Sequence, residues 1–207
     1  MLPVLAADIV ALRSLRNRYY AMRHGQSLAN CEGLIVSHPK NGLHGYGLSE
    51  SGRRQVHDGI SDSKLDLSTR IISSDFKRAR ETAELVYLQL VCRKSVEFDA
   101  RLRERHFGDL ELGTDNRYPE IWAADQRDPN HCDHNVENVH SVLGRASAVV
   151  LDCERRFSGE TCLLVAHGDI LQILQTAFYR LPPSRHRDLP HLQTASVRAL
   201  KLRIPKG

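Results

Sequence analysis

Two short apolar runs, each closed by a histidine and a glycine, constrain the fold of this chain most. Residues 19–22 lead into Arg23 and His24, and residues 161–166 lead into His167. A short apolar run closed by a turn residue predicts a buried strand. Ligand sites of open α/β sheets lie beyond the carboxyl ends of the strands. We therefore predict that the two histidines meet over one edge of a sheet.

Predicted helices alternate with predicted strands along the rest of the chain. Further strands are predicted at 71–74, 96–98 and 195–202, and helices at 50–60, 75–90, 138–156 and 170–179. The helix after residue 74 is expected to be capped by Ser74 or Asp75. Such alternation predicts a largely parallel sheet with helices on both faces. The expected fold class is α/β, as a single-domain three-layer α/β/α sandwich with a mostly parallel sheet.

The predicted elements also divide the chain into regions. Residues 1–18 are expected to form an N-terminal arm or a short helix, and residues 19–207 one domain, which suits a chain of 207 residues. The polar segment 113–135 is expected to be irregular, apart from a turn or two around residues 118–125. The segments 33–47 and 109–140 are expected to form a lid, because glycine-rich and polar loops often carry function.

Charge and cysteine content disfavour several classes of protein. The net charge is only +4, without a long basic block, which disfavours nucleic acid as a partner. No apolar run approaches the ~18 residues that cross a membrane. Asp8 and the lack of a basic segment argue against a signal peptide. The five cysteines form no Cys-x-x-Cys pair, which favours a reducing compartment, and we predict a cytoplasmic location.

The first strand ends in two side chains suited to an anionic substrate. The Arg23 guanidinium keeps its charge and binds phosphate well, and the His24 imidazole can act as a nucleophile. A surface pair that merely ends a strand is the alternative. Together with His167 on the second strand, the pair favours a small phosphorylated substrate, whereas the oligomeric state stays open.

Two charged side chains elsewhere fit the same chemistry. Arg78 falls in the first turn of a predicted helix, where cations are normally disfavoured by the helix dipole. An anion attracted by both the helix end and the arginine would explain it, although a solvent-facing arginine is the alternative. Glu104 is the one acid in a basic stretch and could protonate a leaving group, or simply balance the neighbouring charges. Nothing in this set demands a metal.

Four blocks of the sequence resemble the signatures of a known family. They are residues 23–27 with Asn30, residues 73–83, residues 102–108 and residues 165–168. In this order they resemble the histidine phosphatase superfamily, in its phosphoglycerate mutase-like branch. The resemblance implies a phosphoglycerate mutase-like fold, a phosphohistidine intermediate on His24 and no metal cofactor.

The resemblance also implies roles for individual residues. Arg23, Arg78 and His167 would form the phosphate pocket with His24, and Glu104 would be the proton donor. Ser27 and Asn30 are polar groups expected to line the same pocket. Asp169 is the second choice as donor, because in the related acid-phosphatase branch an acid directly follows the second histidine, whereas Gly168 intervenes here.

The sequence favours a phosphatase over a mutase. Mutases that it resembles carry a Trp-Arg-Arg element that grips the substrate carboxylate, and the nearest candidate here, Trp122, is followed by two alanines. The loop 33–47 also resembles phosphatase members. A phosphoglycerate mutase-type transfer stays an alternative. A non-catalytic phosphate-binding member is a third one, although all the expected catalytic residues are present.

Two further clusters are interpreted as ordinary surface. The first holds potential metal ligands in a polar loop, namely His131, Cys132, Asp133, His134 and His140. It has no closed four-ligand spacing and therefore predicts a hydrophilic loop rather than a metal site. The second is a basic run after the last predicted helix, with Arg180, Arg185, His186 and Arg187, which we interpret as a solvated surface.

Overall fold

The strand that leads into His167 lies at the centre of the sheet. In the computed structural model, which describes residues 9–203, all six residues of this strand are buried, because strands flank both of its edges and helices cover both faces. The strands are β1 (Arg18–Arg23), β2 (Arg70–Ser73), β3 (Glu97–Phe98), β4 (Thr161–Ala166) and β5 (Val197–Leu200).

The order of strands across the sheet is β3-β2-β4-β1-β5. The first four run parallel to one another, and β5 pairs antiparallel with β1 at the edge. The register of β1 and β4 places Arg23 opposite Ala166, so both strands end at the same level. The predicted mostly parallel sheet is confirmed.

Helices cover both faces of this sheet, which confirms the three-layer α/β/α arrangement. On one face, Val142 and Leu171 join the core with the residues of β4 that point to that side. On the other face, Val56 and Val86 join a second core cluster. The helices are α1 (Leu28–Glu32), α2 (Pro39–Gly42), α3 (Glu50–Ser61), α4 (Lys77–Leu90), α5 (Tyr118–Arg127), α6 (Val139–Arg156) and α7 (Gly168–Tyr179).

The start of α4 differs from the prediction. The residue that precedes the helix is Phe76, and no side chain caps it, so the predicted cap by Ser74 or Asp75 is wrong. The Ser74 hydroxyl lies instead 2.8 Å from the ring of His167, and the Asp75 carboxylate accepts hydrogen bonds from Arg103. The Ser74 hydroxyl also accepts at 3.3 Å from the N–H of Phe76, which precedes the helix, so neither side chain caps an N–H group within α4.

The segment expected to be irregular contains the ten-residue helix α5. Its apolar stripe is short, and only Ile121 and Ala124 are buried apolar residues within it. Ile121 packs in a small separate cluster with Phe107 and Leu110. Tertiary packing therefore stabilises a helix that the sequence pattern of this segment only weakly indicates.

The described part of the predicted arm packs on the domain. Ile9 is fully buried in the main core, and the backbone N–H groups of Arg16 and Asn17 donate to the Glu154 carboxylate of α6. Residues 1–8 lie outside the described residues. The division of the chain at residue 19 therefore stays a prediction.

Two features of the structure concern the cellular location of the protein, namely its helices and its cysteines. No helix within residues 9–203 is long and apolar enough to cross a membrane. The five cysteines are free, and Cys92, Cys153 and Cys162 are buried. The cytoplasmic location stays a prediction.

Candidate active site

The common end of β1 and β4 brings the two predicted histidines together. The backbone N–H of His24 donates to the carbonyl of Ala166 at 2.9 Å, and the ring centroids of His24 and His167 lie 5.2 Å apart. A Cβ on Gly25 would lie 2.5 Å from the carbonyl oxygen of Gly52. The turn after His24 therefore packs directly on α3 and requires a glycine.

The hydrogen bonds of His24 define its tautomer. Its Nδ1 lies 2.7 Å from the carbonyl oxygen of Gly25, which can only accept, so Nδ1 carries the proton. Its Nε2 accepts a hydrogen bond from Arg78 Nε at 3.0 Å, because an arginine can only donate. Burial, with the charges of Arg78 and Arg23, holds the pKa of His24 well below its usual range. Nε2 therefore keeps its lone pair near neutral pH.

Both predicted arginines reach the site and leave donors unused. Arg78 is buried at the start of α4 and donates through Nη2 to the carbonyl of Val36 at 2.8 Å. Arg23 donates through Nη1 to His191 Nε2 at 2.9 Å. Arg78 Nη1 and Arg23 Nε are buried without a partner among the described residues. Because unpaired buried donors are costly, these groups are suited to binding acceptor oxygens of a ligand.

His167 contributes a ring nitrogen that has no partner among the described residues. It is fully buried, and its Nε2 lies 2.8 Å from the hydroxyl of Ser74, while its Nδ1 has no partner among the described residues. Burial and the nearby charge of Arg78 hold the pKa of His167 well below its usual range. The ring is therefore neutral. In the tautomer in which Ser74 donates to Nε2, Nδ1 carries the proton and can donate one hydrogen bond.

Glu104 is held at the amino end of α7. Its Oε1 accepts from the backbone N–H groups of Arg105 at 2.9 Å and Ile170 at 3.2 Å, and its Oε2 lies 3.5 Å from the N–H of Asp169. Burial and the charge of Asp169 raise the pKa of Glu104, although Arg78 opposes this shift. The arrangement keeps a carboxyl group beside the histidines that is easier to protonate than an exposed glutamate.

A cavity of about 210 Å³ is lined by Arg23, His24, Arg78 and Glu104, whereas His167 lies behind His24 and is not among its lining residues. Ser27 and Asn30 line it as predicted, but the same residues also cap α1. The Asn30 Oδ1 accepts from the backbone N–H of Ser27 at 3.0 Å, and the Ser27 hydroxyl accepts from the N–H of Asn30 at 3.3 Å. Their groups are thus partly committed to the helix. The cavity is lined as well by side chains of both segments expected to form a lid, among them Val36 and Tyr118.

The mouth of the cavity contains an arrangement that the sequence did not indicate. The indole Nε1 of Trp122 donates to Asp169 at 3.0 Å, and the Arg187 guanidinium lies 3.5 Å from the centre of the Trp122 ring. Arg187 also pairs with Asp169 at 3.3 Å. The interpretation of residues 180–187 as a solvated surface is therefore wrong for Arg187, which packs against the site.

A buried charge network lies beneath this arrangement. The guanidinium of Arg105 forms two hydrogen bonds of 2.7 Å with Asp125, and both side chains are fully buried. Asp125 also accepts from His186 at 3.1 Å and His131 at 2.8 Å. Burial alone would raise the pKa of Asp125, but the hydrogen bonds from His186 and Arg105 hold it well below its usual range. His186, predicted to be solvated, is fully buried.

The site residues and their geometry agree with a sequence match between most of this chain and a known protein family. Residues 19–204 match the sequence profile of the histidine phosphatase superfamily, branch 1. The chain belongs to the histidine phosphatase superfamily. The resemblance predicted from the four sequence blocks is thereby confirmed.

Relatives of this histidine phosphatase superfamily member carry names of both mutases and phosphatases. A probable phosphoglycerate mutase GpmB from Citrobacter koseri is 31% identical over 188 residues, which cover 86% of this chain and 81% of the relative. A mycobacterial glucosyl-3-phosphoglycerate phosphatase structure has a TM-score of 0.71 at 28% identity and covers 88% of both chains. The α-ribazole phosphatase of Shigella flexneri shares the fold, with a TM-score of 0.67 at 22% identity over 88% of this chain and 89% of its own.

In this superfamily member, two histidines of the polar loop 131–140, His131 and His134, contact carboxylates of α5. His131 Nε2 contacts Asp125, and His134 Nε2 contacts Glu120 at 2.9 Å. Across residues 9–203, no group of three or more histidine, cysteine, aspartate or glutamate side chains is arranged to hold a metal ion. The loop serves to attach α5 to its surroundings.

Proposed function

We propose that this protein hydrolyses a phosphomonoester through a phosphohistidine intermediate on His24, without a metal ion. One observation carries the proposal. Two buried arginine donors without a partner among the described residues, Arg23 Nε and Arg78 Nη1, lie in one cavity with a neutral histidine whose Nε2 keeps its lone pair, and the ring of His167, whose Nδ1 has no partner either, lies 5.2 Å from that histidine. Donors fixed in this way before the substrate binds suit the oxygens of a phosphoryl group.

In the first step, His24 Nε2 attacks phosphorus and forms an N–P bond. The hydrogen bond from Arg78 Nε to that nitrogen is given up as the arginine turns to the phosphoryl oxygens. The bond between phosphorus and the ester oxygen breaks, and the protonated Glu104 gives its proton to the leaving alkoxide. Burial beside Asp169 supports this role, because it favours the protonated form of Glu104.

In the second step, water attacks the phosphohistidine. The Glu104 carboxylate takes a proton from this water, the N–P bond breaks, and its electron pair returns to His24 Nε2. Arg23, Arg78 and the N–H of His167 stabilise the charge on the phosphoryl oxygens in both steps. The cycle restores the protonated Glu104 and the neutral His24.

We assign Asp169 a positioning role rather than that of proton donor. Its carboxylate oxygens accept hydrogen bonds from Trp122 and Arg187, and Arg105 lies at 3.5 Å. Because the charge of Asp169 raises the pKa of Glu104, Asp169→Asn should lower that pKa. The alkaline limb of the pH profile of kcat/KM should therefore move to lower pH. Measurement of kcat/KM for phenyl phosphate across the pH range tests this.

Asp62→Asn is the control for that variant, because it makes the same chemical change at an exposed position at the end of α3. Its pH profile should coincide with that of the wild type. An alkaline limb that stays in place or moves to higher pH in Asp169→Asn would contradict the proposed electrostatic role.

The proposed intermediate can be tested by trapping. Enzyme mixed with a substrate that carries a labelled phosphoryl group is quenched in alkali, in which phosphohistidine is stable, and the labelled peptide is identified by mass spectrometry. We expect the label on the peptide that contains His24, with a chelator present throughout. Label on another residue, or none during turnover, would reject the mechanism.

The same samples separate the alternative functions. A mutase, as the name of the Citrobacter relative would suggest, should interconvert phosphoglycerates when bisphosphoglycerate is added and should release little phosphate. A non-catalytic binder should do neither and acquire no label. Phosphate release with a labelled His24 distinguishes the proposed phosphatase from both.

A further inference from the structure

Aromatic and aliphatic side chains form one wall of the cavity, against which the alcohol part of a substrate can pack. The rings of Tyr118 and Trp122, one turn apart on α5, are nearly parallel, with an interplanar angle of 6° and centroids 5.5 Å apart. Both line the cavity. Three aliphatic side chains continue this wall, namely Ala29, Leu34 and Val36.

Within residues 9–203, the lining of the cavity provides no further cation for a second anionic group of the substrate. Among the described residues that line the cavity, Arg23 and Arg78 alone are arginine or lysine, and the phosphoryl group would use both. His191 also lines the cavity, but its Nε2 accepts a hydrogen bond from Arg23 and therefore carries no proton. Burial and the charge of Arg23 also lower the pKa of His191. The imidazole thus adds no positive charge.

Arg187 is a cation that contacts two lining residues of the cavity, and its charge is already used. It lies against the ring of Trp122 and pairs with Asp169 at 3.3 Å. It is not among the residues that line the cavity. A substrate carboxylate would have to displace this arrangement to gain a partner.

The carboxylate of Asp115 lies at the opening of the cavity without a compensating positive charge among the described residues. Asp115 lines the cavity and is exposed, and its side chain forms no ion pair with the described residues. It lies beside Gly33, where a Cβ would be 3.6 Å from Asp115 Oδ1. A second anionic group on the substrate would meet this like charge and an apolar wall that does not replace its lost hydration.

We infer that the cavity selects phosphomonoesters of uncharged alcohols with an aromatic or apolar body, and that Asp115 excludes alcohols that carry a carboxylate. This inference rests on the proposed phosphatase function. The cavity of about 210 Å³ restricts the alcohol to a small one, since sites for larger ligands commonly measure 300 Å³ or more. Phosphoglycerates, which carry a carboxylate, are then poor substrates.

Two matched pairs of substrates test the selection. Phenyl phosphate is compared with 4-carboxyphenyl phosphate, and glycerol 3-phosphate with 3-phosphoglycerate. In the first pair the carboxylate replaces a hydrogen atom, and in the second pair it replaces a hydroxymethyl group. The carboxylate withdraws electrons from the phenol, so a slower reaction of that substrate does not come from a poorer leaving group. We expect kcat/KM to be roughly tenfold higher for the member of each pair that lacks the carboxylate.

Asp115→Asn tests the specificity residue. Because Asp115 is exposed, its substitution should leave folding intact, and the preference within each pair should fall by roughly threefold. Asp62→Asn, outside the cavity, makes the same change of charge and should leave the preference at the wild-type value. A preference unchanged in Asp115→Asn, or one that falls equally in Asp62→Asn, would overturn the role of Asp115.

The outcomes separate the inference from the proposed function. If phosphate is released and depends on His24, but the carboxylate-bearing members react as fast or faster, the inference fails and the phosphatase mechanism stands. If neither pair releases phosphate in a manner that depends on His24, the proposed function itself fails. If the wild type prefers the substrates without a carboxylate and Asp115→Asn reduces that preference, the result supports both the phosphatase function and the inferred specificity.

Discussion

In the His24→Ala variant, phosphate release from phenyl phosphate should fall by roughly 10⁴-fold or more. Alanine provides no lone pair for the N–P bond, and the other groups of the site, Arg78 and Glu104, only bind the phosphoryl group or transfer protons in the proposed mechanism. The loss should appear in kcat, measured at saturating substrate with a chelator present. Binding of inorganic phosphate should persist, because the arginine donors remain.

A second variant, which replaces a histidine outside the site, is the control for the histidine-to-alanine change itself. His57 is exposed on α3, and His57→Ala should keep wild-type kcat. Thermal unfolding of both variants should be measured, so that a misfolded His24→Ala sample is recognised. A folded His24→Ala protein that retains kcat within about tenfold of the wild type would reject His24 as the nucleophile.

The second large effect is expected on stability. Asp125→Asn removes the charge that compensates the fully buried Arg105 and weakens the hydrogen bonds from His131 and His186. Breaking a buried ion pair by removing one charge costs about 3–5 kcal/mol of the free energy of unfolding. Urea unfolding followed by circular dichroism measures this loss. Activity should fall as well, because the backbone N–H of Arg105 helps to hold Glu104.

Two further variants sharpen that measurement. Asp58→Asn makes the same change at an exposed position and should alter the free energy of unfolding by less than about 0.5 kcal/mol. The double variant Arg105→Met with Asp125→Leu removes both charges and should lose less stability than the sum of its single variants. If Asp125→Asn costs under about 1 kcal/mol, the network contributes little to stability and our interpretation of it is wrong.

The sheet and the central site residues were predictable because their signals are local. The strands that lead into His24 and His167 show their burial directly in a few consecutive apolar residues, and parallel strands bring their ends together. Arg78 was predictable for the same reason, since its place in the first turn of a helix follows from the strand just before it. None of these inferences requires knowledge of distant contacts.

The mouth of the site was not predictable because its contacts are distant in the sequence. Trp122, Asp169 and Arg187 lie on three separate elements, and their mutual contacts arise only from tertiary packing. Arg187 belongs to a basic run of the sequence, and such a run by itself predicts side chains exposed to solvent. The pair of Arg105 with Asp125 is equally hidden, because twenty residues separate the partners and neither lies in an apolar pattern. Asp169 was considered only as a second choice of acid.

The amino end of α7 has a consequence for how such a protein can diverge. His167 precedes the helix directly, and the N–H groups of Asp169 and Ile170 lie against Glu104, so one rigid junction sets the spacing between an acid and a histidine. The wall around the alcohol comes from separate segments, with Tyr118 and Trp122 on α5. Changes in those segments that keep the contact of Trp122 with Asp169 can alter the choice of alcohol while this junction stays intact. Reaction chemistry and substrate choice thus depend on different segments of the chain that are joined at Trp122.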